Sequence, residues 1–444
     1  MFEKILMLVL FFTVAIFIGL YCRKHSTNVN DFVLGGRNVG PWMSAFAYGT
    51  SYFSAVVFVG YAGQFGWNFG ISVVWIGIGN AFIGSFLAWA VLGRRTRVMT
   101  RHLDSATMPD LFGKRYDSNV LKIAVSILIF VFLVPYSASV YKGLSELFSM
   151  AFGVDVIYCI IGMAILTGIY VVLGGYMAVA LNDLVQGIIM IIGIFTIIGV
   201  VLNTQGGLME AMIKLSQIQS PTEPKLNGAF VSFFGPDPLA LLGVVILTSL
   251  GAWGLPQMVH KFYTIRNEKA IQTGTVISTI FALIIAGGSY FMGSFGRLFY
   301  TPAADGTVAY DSIVPSMIEM IMPDILIGLV IIMVLSASMS TLSALVIASS
   351  STFTLDFLRG IYFKNMSKET QVIIIKGFCV IFVILSVVIA LNPNNLITTL
   401  MSLSWGALAG SFLGPLLYGL FWRGVTKASV WAAIVFGVGF NSVN

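Results

Sequence analysis

The residues best suited to chemistry in this chain are hydroxyls. Ser336, Ser338, Ser340, Thr341 and Ser343 crowd into 336–343, in the middle of one of the most apolar stretches. On a helix Ser336, Ser340 and Ser343 fall on one face, with Ala337 and Thr341 adjoining it. Hydroxyls and free backbone carbonyls can replace the water of a hard monovalent cation without burying a negative charge. The same hydroxyls can instead bond back to carbonyls one turn earlier and let helices approach, and the cluster alone leaves both readings open. The conspicuous carboxylate is Asp183, in Leu181-Asn182-Asp183-Leu184-Val185-Gln186-Gly187 at the start of an apolar run. A carboxylate within a membrane segment marks function by default. At a helix start it also serves as a cap facing the positive end of the dipole.

Paired carboxylates, a nucleophile beside a base and a phosphate-cradling loop are missing from suitable positions, so the chain does not read as an enzyme. Cys22, Cys159 and Cys379 lack the spacing of a metal site or a disulfide framework, and no cofactor is expected. Aromatic residues gather near Gly- or Pro-containing stretches: Tyr52 and Phe53, Trp253, and Tyr136 beside Pro135. They could wall a solute pocket.

The elements that must position these groups follow from composition. Of 444 residues, 58% are apolar and only 9% charged, against about 25% charged in a soluble globular protein. The chain reads as an all-α polytopic membrane protein, since a span needs about 20 apolar residues. Apolar runs bounded by charge or turn clusters lie near 3–22, 41–62, 67–93, 120–149, 155–173, 178–202, 237–256, 270–299, 323–354, 371–391, 395–421 and 428–442. The first reads as a retained helix, because bulky Tyr21 and Cys22 stand where small residues would permit cleavage. The end at Asn444, just after the last run, reads as a truncation.

Basic residues set the sidedness. Arg94, Arg95, Arg97, Arg101, Lys114, Arg115 and Lys122 share one connection, and Lys261, Arg266 and Lys269 another on the same side. The opposite side holds only Lys4, Lys142, Lys214, Lys225 and Arg297 of the 24 Lys and Arg. By the positive-inside rule the rich side is cytoplasmic, which puts the N-terminus outside and the protein in the plasma or inner membrane. The net charge of +6 is then a topology signal facing anionic lipid, and nucleic acid is not expected as a partner.

With that orientation the second and seventh spans run in opposite directions, so five-span units starting at each can form an inverted repeat. The second carries Gly49-Thr50-Ser51, Gly60 and Gly63; the seventh carries Gly251, Gly254 and Pro256. Interruptions at corresponding positions of two halves point to a midplane site in a secondary transporter. The expected organisation is an extra helix and loop over 1–40, repeats over 41–203 and 237–422, an extracellular loop over 204–236, and a last helix beginning in 423–444.

Several segments together resemble the sodium:solute symporter family: Phe32-Val33-Leu34-Gly35-Gly36-Arg37, Gly174-Gly175-Tyr176-Met177-Ala178-Val179 with Asn182-Asp183 and Gln186-Gly187, Trp253-Gly254-Leu255-Pro256-Gln257, and the hydroxyl cluster running on to Ser349-Ser350 and Asp356. The resemblance implies a leucine-transporter-like fold and sodium as the coupling ion for import of a small organic solute. It implies a sodium site made by the carbonyls of Thr50, Phe53 and Ala337 and the hydroxyls of Ser340 and Thr341. A second sodium in some members corresponds to Asp183, Ser340 and Ser343, but Ala344 stands where another hydroxyl can occur.

Val57 and Ala252 replace the Gln and Tyr of sugar carriers, and Tyr52 replaces an acidic residue of proline carriers. The pattern is nearest to pantothenate- and proline-type members. A carboxylate-bearing or zwitterionic solute is therefore expected, such as an amino acid, pantothenate or a monocarboxylate, in a pocket of Tyr52, Ser54, Trp253 and Tyr136. A proton-coupled carrier of the same fold and the membrane domain of a transporter-like sensor are the alternatives.

Overall fold

The computed structural model describes residues 2–22, 28–221, 223, 226–363, 365–392 and 396–443. Its main helices are α1 (Phe2–Cys22), α2 (Pro41–Tyr52), α3 (Val56–His102), α4 (Asn119–Phe152), α5 (Val156–Thr204), α6 (Pro238–Leu250), α7 (Pro256–Thr264), α8 (Glu268–Leu298), α9 (Asp324–Ile361), α10 (Lys368–Ala390), α11 (Ile397–Phe421) and α12 (Lys427–Val443). Among the described residues eight helices are long and apolar enough to cross a membrane alone, and α6 with α7 makes a ninth, bent by 49°. Only helices satisfy every backbone group within one segment, and that selects them in hydrocarbon.

The apolar runs read from the sequence recur with shifted boundaries. Runs 155–173 and 178–202 are a single helix, α5, broken at Gly175, whose φ of 62° and ψ of −174° leave helical space. The turn between the second and third runs falls at Gly70, with φ 62°. A Cβ there would lie 2.2 Å from the carbonyl oxygen of Phe230, so the position requires glycine twice over. The seventh run continues past Pro256 through α7. Lys225 lies outside the described residues.

α9 occupies the centre, with 83% of its most apolar window buried, and packs against α4, α5, α1 and α2. Both interrupted spans are anchored at one end. The N–H of Val39 donates to the carbonyl of Thr264 (3.1 Å), and that of Arg266 to the carbonyl of Val39 (3.1 Å). Arg97 donates to the carbonyls of Ile265 (2.9 Å) and Arg266 (2.6 Å), and Arg101 to that of Arg37 (2.9 Å). The entry of α2 and the exit of α7 are thus tied, while their broken middles carry free backbone groups.

Three residues counted above as loop cations prove to be buried: Arg97 by these carbonyls, Lys142 within α4, and Lys261 within α7. Lys261 was misplaced because a run ended at Pro256 hides the helix that follows it.

Candidate cation and solute site

α2 ends at Tyr52, and Phe53 is extended at φ −114° and ψ 104°. The chain resumes as helix at Val56, whose N–H donates to Ser54 Oγ (3.3 Å). Ser54 therefore caps the second half, and its lone pairs are partly used there. The last carbonyls of α2 have no continuing helix to accept from, and the negative end of its dipole points into the bundle.

α9 meets these carbonyls with its hydroxyls. Thr341 Oγ1 lies 3.3 Å from the carbonyl oxygen of Thr50, 3.3 Å from that of Ser51 and 3.1 Å from that of Ala337. Ser340 Oγ lies 3.2 Å from the carbonyl oxygen of Ala337. A hydroxyl has one hydrogen, so Thr341 cannot serve three carbonyls at once. The result is a fully buried group of neutral oxygens from two helices, with more acceptors than donors, which is the donor set a hard monovalent cation takes. Of the residues expected here, Thr50, Ala337, Ser340 and Thr341 come together. Ser51 joins them without having been anticipated, and Phe53 is the residue at which the helix ends.

Of the remaining hydroxyls, Ser336 Oγ is buried without a hydrogen-bond partner, and the other two bond within their own helix. Ser338 donates to the carbonyl of Val334 (2.7 Å) and Ser343 to that of Met339 (2.5 Å), one turn earlier in the same helix; Thr341 differs from them in also facing carbonyls of a second helix.

Asp183 is fully buried in α5, well inside the helix, so it is not an N-terminal cap. Its Oδ2 lies 3.6 Å from Nζ of Lys261, a side chain only 1% exposed.

Near the break, Tyr52 donates its hydroxyl to the carbonyl of Thr248 on α6 (2.5 Å) and so joins the two interrupted spans. Its ring stacks on Trp405 of α11 (6.1 Å, 21°), and Tyr136 meets the same indole edge-on (6.0 Å, 75°). Tyr136 OH and Trp405 Nε1 are both buried, near each other, and make no well-formed hydrogen bond. A polar group left so in a low-dielectric site is costly unless something else meets it. Trp253 is turned elsewhere: its Nε1 donates to the carbonyl of Ile83 (2.9 Å), which fixes the α6–α7 break to α3. Sequence reasoning missed Trp405. Its signal was Ser402, Ser404 and Gly406 interrupting an apolar run around an indole.

Comparison with known proteins bears on the fold and the family. The protein is 29% identical over 446 aligned positions to the sodium/proline symporter of Staphylococcus aureus strain JH9, covering 98% of this chain and 84% of that one. Strain USA300 gives the same figures. Among solved structures it matches a substrate-bound, outward-open Na+-coupled sialic acid symporter, with a TM-score of 0.79 at 18% identity, over 100% of this chain and 96% of the other. A manganese transporter of Eremococcus coleocola gives a TM-score of 0.55 at 11% identity, over 91% and 85%. The expected leucine-transporter-like fold is borne out, in an integral membrane protein. The sequence model of the sodium:solute symporter family matches residues 32–437, and the chain belongs to that family of sodium-coupled solute symporters.

Proposed function

We propose that this protein imports a small carboxylate-bearing or zwitterionic solute, with one sodium ion held between α2 and α9 by the carbonyls of Thr50, Phe53 and Ala337 and the hydroxyls of Ser340 and Thr341. The observation that carries the reading is Thr341 Oγ1 set among carbonyls of both helices. A cation there joins the end of a broken helix to the buried centre of the bundle, and release separates them. Sodium drives uptake only if it binds one conformation better than the other, because equal affinity shifts nothing. Residues 41–203 and 237–422 form the two inverted repeats, and rocking of a four-helix bundle against the remaining scaffold exposes the site to either side in turn. The N-terminus faces outward, across the plasma or inner membrane.

The solute lies beside the break, against Tyr52 and Trp405. The donors Tyr136 OH and Trp405 Nε1 suit an acceptor-rich carboxylate, and the aromatic faces suit a compact apolar body. The kinship with sodium/proline symporters makes proline the first solute to try. Proteoliposomes given an inward sodium gradient should accumulate labelled proline or a competing carboxylate from a panel, and should not do so with choline or a pH gradient alone. Trp405→Phe keeps the stacking and removes the N–H, so it should raise the half-saturating solute concentration about tenfold, the worth of one hydrogen bond to a charged group. Uptake driven equally well by a pH gradient would overturn the coupling assignment.

A further inference from the structure

Asp183 lies on α5 and Lys261 on α7, and neither meets solvent. At 3.6 Å the pair is an ion pair just outside hydrogen-bond range. Lys261 Nζ also stands 5.3 Å from the centre of the Tyr176 ring, whose negative face attracts a cation. Gln186 shares a helical face with Asp183, and Gln257 with Lys261; both amides are buried without hydrogen-bond partners. A carboxylate with spare amide oxygens nearby is a niche that a small cation would choose, yet the cation already there belongs to the chain.

We propose that the Lys261 ammonium is the permanent counter-cation of Asp183, that it takes the place a second sodium would need, and that the protein therefore moves one sodium per solute. Two observations support this beyond the ion pair. A sodium ion on Asp183 would be pressed against a like charge with almost no water to screen it. Ala344 adds no oxygen that could help offset that repulsion. The inference rests on the sodium site between α2 and α9, since it says how many ions bind besides that one.

Equilibrium binding of ²²Na⁺ to the purified protein in nanodiscs tests it. The expected result is one ion per chain, abolished by Thr341→Ala. Asp183→Asn/Lys261→Met, which removes both charges and leaves no bare ion, should still bind one with little change in affinity. Lys261→Met alone, at pH 8.5, should gain a second ion and steepen the sodium dependence of thermal stabilisation from a Hill coefficient of about 1 towards 2. Two ions on the unaltered protein, falling to one in the double variant, would overturn the proposal. So would a folded Lys261→Met that still binds a single ion. No bound sodium at all on the unaltered protein would instead overturn the α2–α9 site and, with it, this inference.

Discussion

Between α2 and α9 polar oxygens meet without any charge, whereas between α5 and α7 a full carboxylate faces a full ammonium. Both places are buried, and both draw on helices that are broken along their length. The neutral site is built with too few hydrogens for its acceptors, and the charged one is closed on itself. In a bundle with so little charge the difference separates their uses: an arrangement short of hydrogens can accept and release a cation, while one that is already neutral overall holds helices together. Burying an oxygen-rich site without charge also keeps it tolerable when the ion has left, because the hydroxyls can turn back to carbonyls of their own helix.

The comparison breaks most visibly if one partner of the charged pair is removed. In sodium-free buffer Lys261→Ala leaves Asp183 buried without a counter-charge, and such losses cost about 3–5 kcal/mol. Thermal or denaturant unfolding in detergent should register it. Asp183→Asn/Lys261→Met should recover most of the loss, since replacing a buried pair by neutral groups of similar size is often harmless. If the double variant were as unstable as the single, the pair would not be the closed, self-sufficient unit described.

A smaller and opposite signature is expected from the neutral site. Thr341→Ala removes one oxygen and leaves no charge exposed, so folding stability should move by less than about 1 kcal/mol. Half-saturating sodium should rise by about 10- to 100-fold, equivalent to about 1.4–2.7 kcal/mol of lost ion binding. Sodium titration of thermal stabilisation separates the two quantities. A large stability loss with unaltered sodium affinity would place Thr341 among the packing residues beside Ser338 and Ser343.

How far each region could be read in advance follows from the same contrast. The neutral site was legible because its parts are local: Gly49-Thr50-Ser51 marks a weak helix, and the hydroxyl cluster sits within one apolar run. Even so, spacing alone left open which hydroxyls turn inward. The structure sorts Thr341 from Ser338 and Ser343 by what lies opposite, and no single-helix pattern contains that. The charged pair was half legible. Asp183 is conspicuous in an apolar run, but Lys261 resembles a cytoplasmic loop cation until the helix after Pro256 is known to fold inward. Trp405 failed for a similar reason, since its meaning comes from Tyr52 and Tyr136 on other helices.

A second buried carboxylate sharpens the contrast, with the smallest expected effect. Asp311 lies outside the membrane spans and is buried like Asp183, but it is met by a backbone donor: the N–H of Ile397 donates to its Oδ2 at 3.2 Å. Burial raises its pKa above the ordinary carboxyl value, while the Ile397 N–H and Lys142 pull it partway back. The folded protein therefore holds this proton more tightly than the unfolded chain, which releases it near pH ~3.9. The stabilisation is complete below that pH and is lost as pH rises through the folded-state value, at about 1.4 kcal/mol for each unit separating the two. Asp311→Asn should flatten that part of the stability–pH curve and leave sodium binding unchanged. A slope that survives the substitution would mean that other groups carry it, and that the Ile397 N–H together with Lys142 compensates this buried carboxylate as fully as an ammonium compensates Asp183.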